Sequence, residues 1–180
     1  MLNRRNWVVS MLALLLVASL AACTAAPVAV PDRDVAISVD TALAAQAKLT
    51  DLMMGQVEWT EAEFSSLLSV LLQQNSGENN PVEEIQVWFE PGNKVVARVT
   101  LTEGVLPAGN TLDLAGTISV ENNHVVVNLE SAGVGNMSVG SAMLAPISAQ
   151  INEALADPSM GVAVNVSTDT GMISVGLGGM

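Results

Sequence analysis

Apolar residues recur at two different periods along this chain, and the change of period separates helical from extended segments. From Asp40 to Met54 and from Thr60 to Gln74 they recur every three or four positions, which is typical of amphipathic helices. From residue 83 to residue 130 they alternate with polar residues, which is typical of strands that bury one face. The sequence therefore predicts two helices followed by a run of strands.

The start of the second helix carries the strongest local signal. Thr60 and Glu63 have the spacing of a capping box, in which each side chain accepts a hydrogen bond from the backbone N–H of the other residue. Trp59 and Phe64 flank this box at the positions of a hydrophobic staple. We therefore expect the helix to begin at Thr60.

Four strands of a meander are predicted from the alternating segment. Their ranges are Glu84–Glu90, Lys94–Thr102, Thr111–Glu121 and His124–Glu130. Pro91-Gly92-Asn93 and Asn122-Asn123 provide turns, because Gly and Asn tolerate the positive φ that tight turns require. Each strand has one apolar and one polar face, which favours an antiparallel sheet that buries one side.

Two further elements follow the meander. A third helix is predicted from about Ala142 to Ala156, where apolar residues recur at every fourth position. A hairpin of Val162–Val166 with Met172–Val175 closes the chain. Together these patterns predict an α+β fold in which an antiparallel sheet of about six strands packs against two or three amphipathic helices.

The first 22 residues have the pattern of a secretory signal peptide. Arg4 and Arg5 supply its positive start, and the apolar run from Trp7 to Leu20 is shorter than the roughly 20 residues that a spanning helix needs. A cut after residue 22 divides the rest into a proline-containing tether over residues 23–39 and a single α+β domain over residues 40–180. One domain is the expectation for a chain of this length.

The sequence Leu20-Ala21-Ala22-Cys23 resembles the lipobox of bacterial lipoproteins. This resemblance implies that the thiol of Cys23 is acylated, that the chain is cut before it, and that a covalent lipid anchors the new amino terminus. The protein would then be exported across the cytoplasmic membrane and held at the cell envelope. Thr24 stands where an inner-membrane retention signal has Asp, which favours the outer membrane in an organism with two membranes. The alternative is an ordinary signal peptide with a chance cysteine at the cut site.

Acidic residues dominate the part of the chain that follows the signal peptide. Four basic residues stand there against all 18 acidic residues, which gives a formal charge of −14. Such a surface repels phosphate backbones, so no nucleic-acid partner is expected. It also repels anionic headgroups, so a membrane partner would be held by the lipid anchor and not by a basic patch.

The residue types needed for catalysis or metal binding are scarce. His124 is the single histidine and Cys23 the single cysteine, so neither a zinc site nor a catalytic triad is predicted. Gly133-Val134-Gly135 precedes a predicted helix, but Ser138 occupies the place of the third glycine of a dinucleotide-binding loop. We therefore expect a protein that is not an enzyme, with no catalytic residue, no metal and no cofactor besides the lipid on Cys23.

The order of elements resembles single-domain envelope proteins related to the tubular lipid-binding (TULIP) superfamily. The resemblance rests on the capped helix that begins Thr60-Glu61-Ala62-Glu63-Phe64, the alternating strands, the Gly/Ser segment before a proline-containing helix, and the last hairpin. It implies that the sheet is strongly curved and wraps around a helix, which leaves an apolar groove able to hold a lipid.

The sequence offers eleven candidate lining residues for such a groove. They are Leu68, Leu71, Leu72, Val95, Val99, Leu114, Ile118, Val127, Met143, Ile147 and Ile151. The same residues would fill an ordinary packed core, so the pattern leaves two functions open. One is binding of a lipid or other apolar ligand in the groove, and the other is a structural or adaptor lipoprotein that binds an envelope protein.

Overall fold

The computed structural model describes residues 28–52, 55–75, 81–104, 109–135, 137–139, 144–145, 148–149, 152 and 165–176. Within these ranges, two helices and one short helical turn accompany eight strands, and residues 144–145, 148–149 and 152 are also helical. The helices are α1 (Val39–Ala47), α2 (Leu49–Leu52) and α3 (Glu61–Asn75). The strands are β1 (Gln56–Thr60), β2 (Val82–Glu90), β3 (Lys94–Leu101), β4 (Thr111–Glu121), β5 (His124–Val134), β6 (Met137–Val139), β7 (Asn165–Asp169) and β8 (Met172–Gly176).

The strands form two antiparallel sheets. The large sheet has five strands in the order β2-β3-β4-β5-β6, and the small sheet has three in the order β1-β8-β7. The α+β class and the antiparallel meander predicted from the sequence are therefore confirmed. The prediction of a single sheet with about six strands is wrong, because the closing hairpin pairs with β1 and not with the meander.

Strands β1 and β6 are the two that the sequence pattern missed. Strand β1 does alternate between exposed and buried residues, but it has only five residues and runs directly into the capped helix. Strand β6 has three residues, too few to show a period. Strand β1 is held by pairing with β8, which is distant in the sequence, and β6 by pairing with β5, which immediately precedes it.

The first helix differs from the predicted one in its boundaries. Helix α1 begins after Ser38, whose Oγ accepts a hydrogen bond from the Thr41 N–H at 3.1 Å, and it ends at Ala47 and not at Met54. Of the predicted third helix, residues 144–145, 148–149 and 152 are described and helical. The remainder of that predicted helix lies outside the described residues.

The capping box and the hydrophobic staple predicted for the helix that begins near Thr60 are both present at the start of α3. The Thr60 N–H donates to Glu63 Oε2 at 2.9 Å, and the Glu63 N–H donates to Thr60 Oγ1 at 3.3 Å. The rings of Trp59 and Phe64 lie 6.2 Å apart, and Phe64 meets Phe89 of β2 edge-on at 5.3 Å. The local sequence therefore fixes both the start of α3 and its contact with the large sheet.

The carboxylate of Glu63 makes a pH-dependent contribution to this cap. Burial raises its pKa, but the Lys48 ammonium and the Thr60 N–H, which donate to it, bring the pKa below the ordinary value of 4.5. Stability from a carboxylate with a lowered pKa is present above its unfolded pKa and is lost as the pH falls through the folded value.

We expect Glu63→Gln to lower the free energy of unfolding by about 1 kcal/mol at neutral pH, an estimate kept small because Lys48 is partly exposed. The difference from the parent should shrink as the pH falls below 4.5, as measured by urea unfolding at a series of pH values. Glu58→Gln removes the same charge from an exposed position and serves as the control. A difference that is constant from pH 7 to pH 3 would contradict the assignment.

The main core lies between the large sheet, α3 and the small sheet. Its buried members include Trp59 of β1, Phe89 of β2, Ile118 of β4 and Ile173 of β8, of which Phe89 and Ile173 are each 1% exposed. Because these residues come from four different strands in two sheets, the small sheet closes one end of the core.

The opposite face of the large sheet is also covered, although the sequence pattern assigns it to solvent. Trp88 and Val96 on this outer face are buried under the segment that precedes α1, which contributes Val28, Val30 and Val35. The Trp88 Nε1–H donates to the Arg33 carbonyl oxygen at 2.9 Å. The folded part of the domain therefore begins by Val28 and not at residue 40, and residues 28–39 are not a free tether.

Candidate functional site

The face of the large sheet that carries the core divides into two regions. Residues near the β2–β3 and β4–β5 turns belong to the main core or pack against it. Val99 of β3 and Leu112 and Leu114 of β4 lie on the same face toward the other end of the sheet, where Val99 is opposite Leu112 and Ala97 is opposite Leu114. These three are half-buried and lie outside the core cluster, and we call them the distal inner face.

The candidate groove residues are distributed over several environments. Ile118 is a buried member of the core, and Leu68, Val95 and Val127 pack against it. Val99 and Leu114 form part of the distal inner face, while Leu72 is half-buried on α3.

Four of the candidates are not placed with the others: Leu71 lies elsewhere in the described structure, and three fall outside it. Leu71 is 40% exposed and lines a cleft between the two helices, so it does not share the sheet face. Met143, Ile147 and Ile151 lie outside the described residues. The structure thus places the candidate lining residues of β3, β4 and β5 on one face of the large sheet, but it does not place all the candidates from the helices there.

Helix α3 lies along the free edge of β2 and hydrogen-bonds to it through side chains four residues apart. Ser65 Oγ accepts from the Val87 N–H at 2.8 Å, and Ser69 Oγ both accepts from the Ile85 N–H and donates to the Ile85 carbonyl at 3.2 Å. Glu61 Oε1 accepts from the Phe89 N–H at 2.8 Å. The spacing matches because four helix residues rise about 6 Å and two strand residues about 6.7 Å.

A second helical segment covers the part of β5 that β6 does not pair with. Asn152 accepts a hydrogen bond from the Val127 N–H at 2.8 Å and donates to the Val127 carbonyl at 3.0 Å. Ser148 Oγ accepts from the Leu129 N–H at 3.2 Å. This segment therefore stands at the edge of β5, beside the strand residues that pair with Ile118 and Gly116 of β4.

The start of α3 is held by a cluster of charged groups. Arg33 Nη2 lies 2.7 Å from Glu61 Oε1, and Arg33 Nη1 lies 2.8 Å from Glu90 Oε1. The hydrogen bond to Glu61 and then that to Glu90 raise the pKa of the Arg33 guanidinium above its ordinary value. The Glu61 N–H also donates to the Gly171 carbonyl at 3.1 Å, so the cluster joins the N-terminal segment, α3, β2 and the β7–β8 turn.

A small cleft lies between α1 and α3. It has a volume of about 70 Å³ and is lined mainly by apolar side chains, among them Leu43 and Val39. Val39 is 64% exposed and Leu43 is 58% exposed, so this part of the helical surface presents apolar groups to solvent. Ligand sites for small molecules usually have volumes of about 300 Å³ or more, so this cleft suits a protruding side chain better than a whole ligand.

A second, open depression of about 370 Å³ lies on the outside of the small sheet, and Glu58, Ser167, Asp169 and Ser174 line much of it. In the ranges that the structure describes, no group of three or more His, Cys, Asp or Glu is placed to hold a metal ion. His124 follows the β4–β5 turn and is half-buried. Within the same ranges, no helix is both long enough and apolar enough to cross a membrane.

Comparison with models of protein families, with curated proteins and with solved structures found no match for this chain. The candidate site is therefore defined by its own geometry.

Several structurally important residues were not identified from the sequence. The sequence pattern places Arg33 within the predicted tether and Glu61 within the motif that begins the capped helix, and it predicts no contact for either side chain. A signal for the edge-binding face of α3 does exist, because Glu61, Ser65 and Ser69 recur at intervals of four on the side opposite solvent. Polar residues at such spacing within an apolar stripe indicate a helix that binds a strand edge.

Proposed function

We propose that this chain is a lipid-anchored protein of the bacterial envelope whose domain holds an apolar ligand, such as an acyl chain, against the distal inner face. The observation that carries the proposal is that Val99, Leu112 and Leu114 form an apolar surface that the main core leaves half-buried. An apolar sheet face must be covered by another element or by a ligand. Burying it under an acyl chain contributes about 25 cal/mol per Å² of apolar area.

The helical segment at the β5 edge further supports this site. Ser148 and Asn152 fix that segment to the edge of β5 by hydrogen bonds to the backbone of Leu129 and Val127. A site bounded by a sheet on one side and a helical segment on the other is a common arrangement for apolar ligands. The lipobox at Cys23 would keep such a site close to the lipids of the membrane.

Binding, and not catalysis, is the activity that we propose. The charged side chains that cluster around Arg33 are paired with one another and connect structural elements. Their hydrogen bonds account for their positions without a substrate.

Whether the domain binds a lipid can be tested by native mass spectrometry. The protein used is residues 24–180, purified without the anchor from a bacterial host. We expect an additional mass in the fatty-acid or phospholipid range that is released on denaturation. Leu114→Gln should abolish this mass, because an amide in an apolar site loses hydrogen bonds to water.

Leu43→Gln, on the exposed surface between the helices, is the matched control and should retain the bound mass. The comparison requires that the thermal unfolding midpoints of both variants lie within a few degrees of that of the parent. A parent protein that carries no lipid, before or after incubation with vesicles, would contradict the apolar site.

A second candidate function is an adaptor that binds an envelope protein through the helical surface around Val39 and Leu43. The exposure of these two residues beside the cleft favours it, since side chains that anchor interfaces are commonly apolar and fill such clefts. Under this function Leu43→Gln would disrupt a discrete partner complex and Leu114→Gln would not. The same two variants therefore separate the two functions.

A further inference from the structure

We propose that the corner of the large sheet where β6 begins, with the side chain of Met137, rests on the surface of the membrane to which the protein is anchored. This inference rests on the proposed lipid anchor at Cys23 and adds to it the orientation of the domain. The occupant of this surface is a lipid bilayer.

The N-terminal segment is fixed to the outer face of the large sheet. Arg33 is held by its ion pairs to Glu61 and Glu90, and the Gln86 amide donates to the Val35 carbonyl at 3.3 Å. The apolar side chains of Val28 and Val30 pack against the cluster around Trp88. The segment therefore cannot swing away without breaking these contacts.

Val28 of this segment lies beside β5. A Cβ atom built on Gly133 would lie 3.9 Å from the backbone nitrogen of Val28, and 3.4 Å from the carbonyl oxygen of Met137. Val28, Gly133 and Met137 are thus close neighbours at one corner of the large sheet. Cys23 therefore precedes this corner of the sheet closely along the chain.

The distance from this corner to the anchor is limited by covalent geometry. Val28 follows Cys23 by five residues, and five residues span at most about 18 Å. Once Cys23 carries a lipid, the corner must lie within that distance of the headgroups. The β4–β5 turn, by contrast, lies eight strand residues further along β4 from Asp113, or about 27 Å away.

The chemistry of the corner suits a membrane surface. Residues 131–139 contain no charged side chain, although the chain as a whole has a formal net charge of −12. Asp113, which lies opposite Gly133, is neutralised by Arg98, whose Nε lies 2.7 Å from Asp113 Oδ1. Anionic headgroups therefore meet little repulsion here, whereas most of the acidic surface would be repelled.

Met137 provides the apolar contact. Its side chain is 52% exposed, and it lies at the start of β6, directly opposite Val134. A flexible thioether side chain can enter the boundary between headgroups and acyl chains at low cost. One such residue contributes little affinity alone, but the anchor already holds the domain at the bilayer, so a weak contact is enough to set the orientation.

The test uses the full-length, processed and lipidated protein in vesicles of phosphatidylethanolamine and phosphatidylglycerol. Cys23 is the single cysteine and its thiol would be acylated, so a cysteine introduced by Met137→Cys can be labelled selectively with an environment-sensitive fluorophore. Quenching by lipids that carry a quencher near the headgroup is then measured. Ser138→Cys, also exposed, repeats the measurement if the first variant folds poorly, and Glu121→Cys at the far end of β4 is the control.

We expect quenching at positions 137 and 138 to exceed that at position 121 several-fold. Equal quenching at the three positions, or stronger quenching at position 121, would overturn the inference. So would protection of position 137 in whole envelopes but not in vesicles, which would point to a protein partner. The intact mass of the purified protein reports separately whether Cys23 carries a lipid, so a missing anchor is distinguished from a wrong orientation.

Discussion

Replacing Glu61 with alanine is expected to lower the free energy of unfolding by about 3 kcal/mol. The Glu61 residue is 8% exposed, and its carboxylate accepts hydrogen bonds from the Phe89 N–H and from Arg33. Alanine would leave a buried N–H without an acceptor, which costs about 1–3 kcal/mol by itself. The loss of the Arg33 pair adds less than a fully buried pair would, because the Arg33 side chain is 34% exposed.

Equilibrium urea unfolding measures this difference, and Glu58→Ala is the matched control. Glu58 carries the same charge on β1, but its side chain is exposed. The control should stay within about 0.5 kcal/mol of the parent. If both variants lost the same stability, the junction around Glu61 would have no special role in holding α3 to β2.

Replacing Gly116 with alanine is expected to cost about 2 to 3 kcal/mol for a steric reason. Gly116 lies on β4 where the register with β5 shifts, and a Cβ atom there would overlap the carbonyl oxygen of Asn128. The obstacle is backbone and not a flexible side chain, so β4 and β5 would have to separate locally. Thermal and urea unfolding should both report the loss.

Gly133→Ala is the control for this substitution because it makes the same chemical change on the neighbouring strand. Its Cβ atom would approach the Met137 carbonyl oxygen to 3.4 Å, which is an ordinary contact. We expect a change below about 1 kcal/mol there. A Gly116→Ala variant as stable as Gly133→Ala would mean that the irregularity in β4 relaxes freely.

The parts of the fold that the sequence predicts well are those set by short-range chemistry. The capping box of Thr60 and Glu63 needs only four consecutive residues, and the structure contains it. The faces of the strands follow from alternation, so Val95, Val99, Leu114, Ile118 and Val127 do share one side of the large sheet. Two-residue periodicity determines the side, but it does not determine what covers it.

The parts that the sequence did not predict depend on contacts between distant residues. Arg33 lies in a segment rich in small residues and proline, and its partners Glu61 and Glu90 are 28 and 57 residues away. A clue was present in the strands, since Trp88 and Val96 are apolar residues on a face assigned to solvent. These two side chains are buried by a segment that is distant in the sequence, so local patterns do not reveal what covers them.

The candidate site shows the same limit. Leu68 and Leu71 belong to one helical stripe, yet Leu68 packs against the core while Leu71 is 40% exposed at the cleft with α1. A broad apolar stripe on one helix can pack against two different surfaces. The sequence alone does not show which residues of the stripe contact which surface.

The side chains of α3 and of the segment around Ser148 that bind strand edges have a further consequence under the membrane anchoring that we propose. Molecules tethered to a membrane diffuse in two dimensions and collide often, which favours polymerisation through exposed backbone. Here the Val87 and Val127 amides are already bonded to Ser65 and Asn152. A second molecule could extend the sheet at these places only after a helix had been displaced, so crowding on the membrane need not lead to fibres.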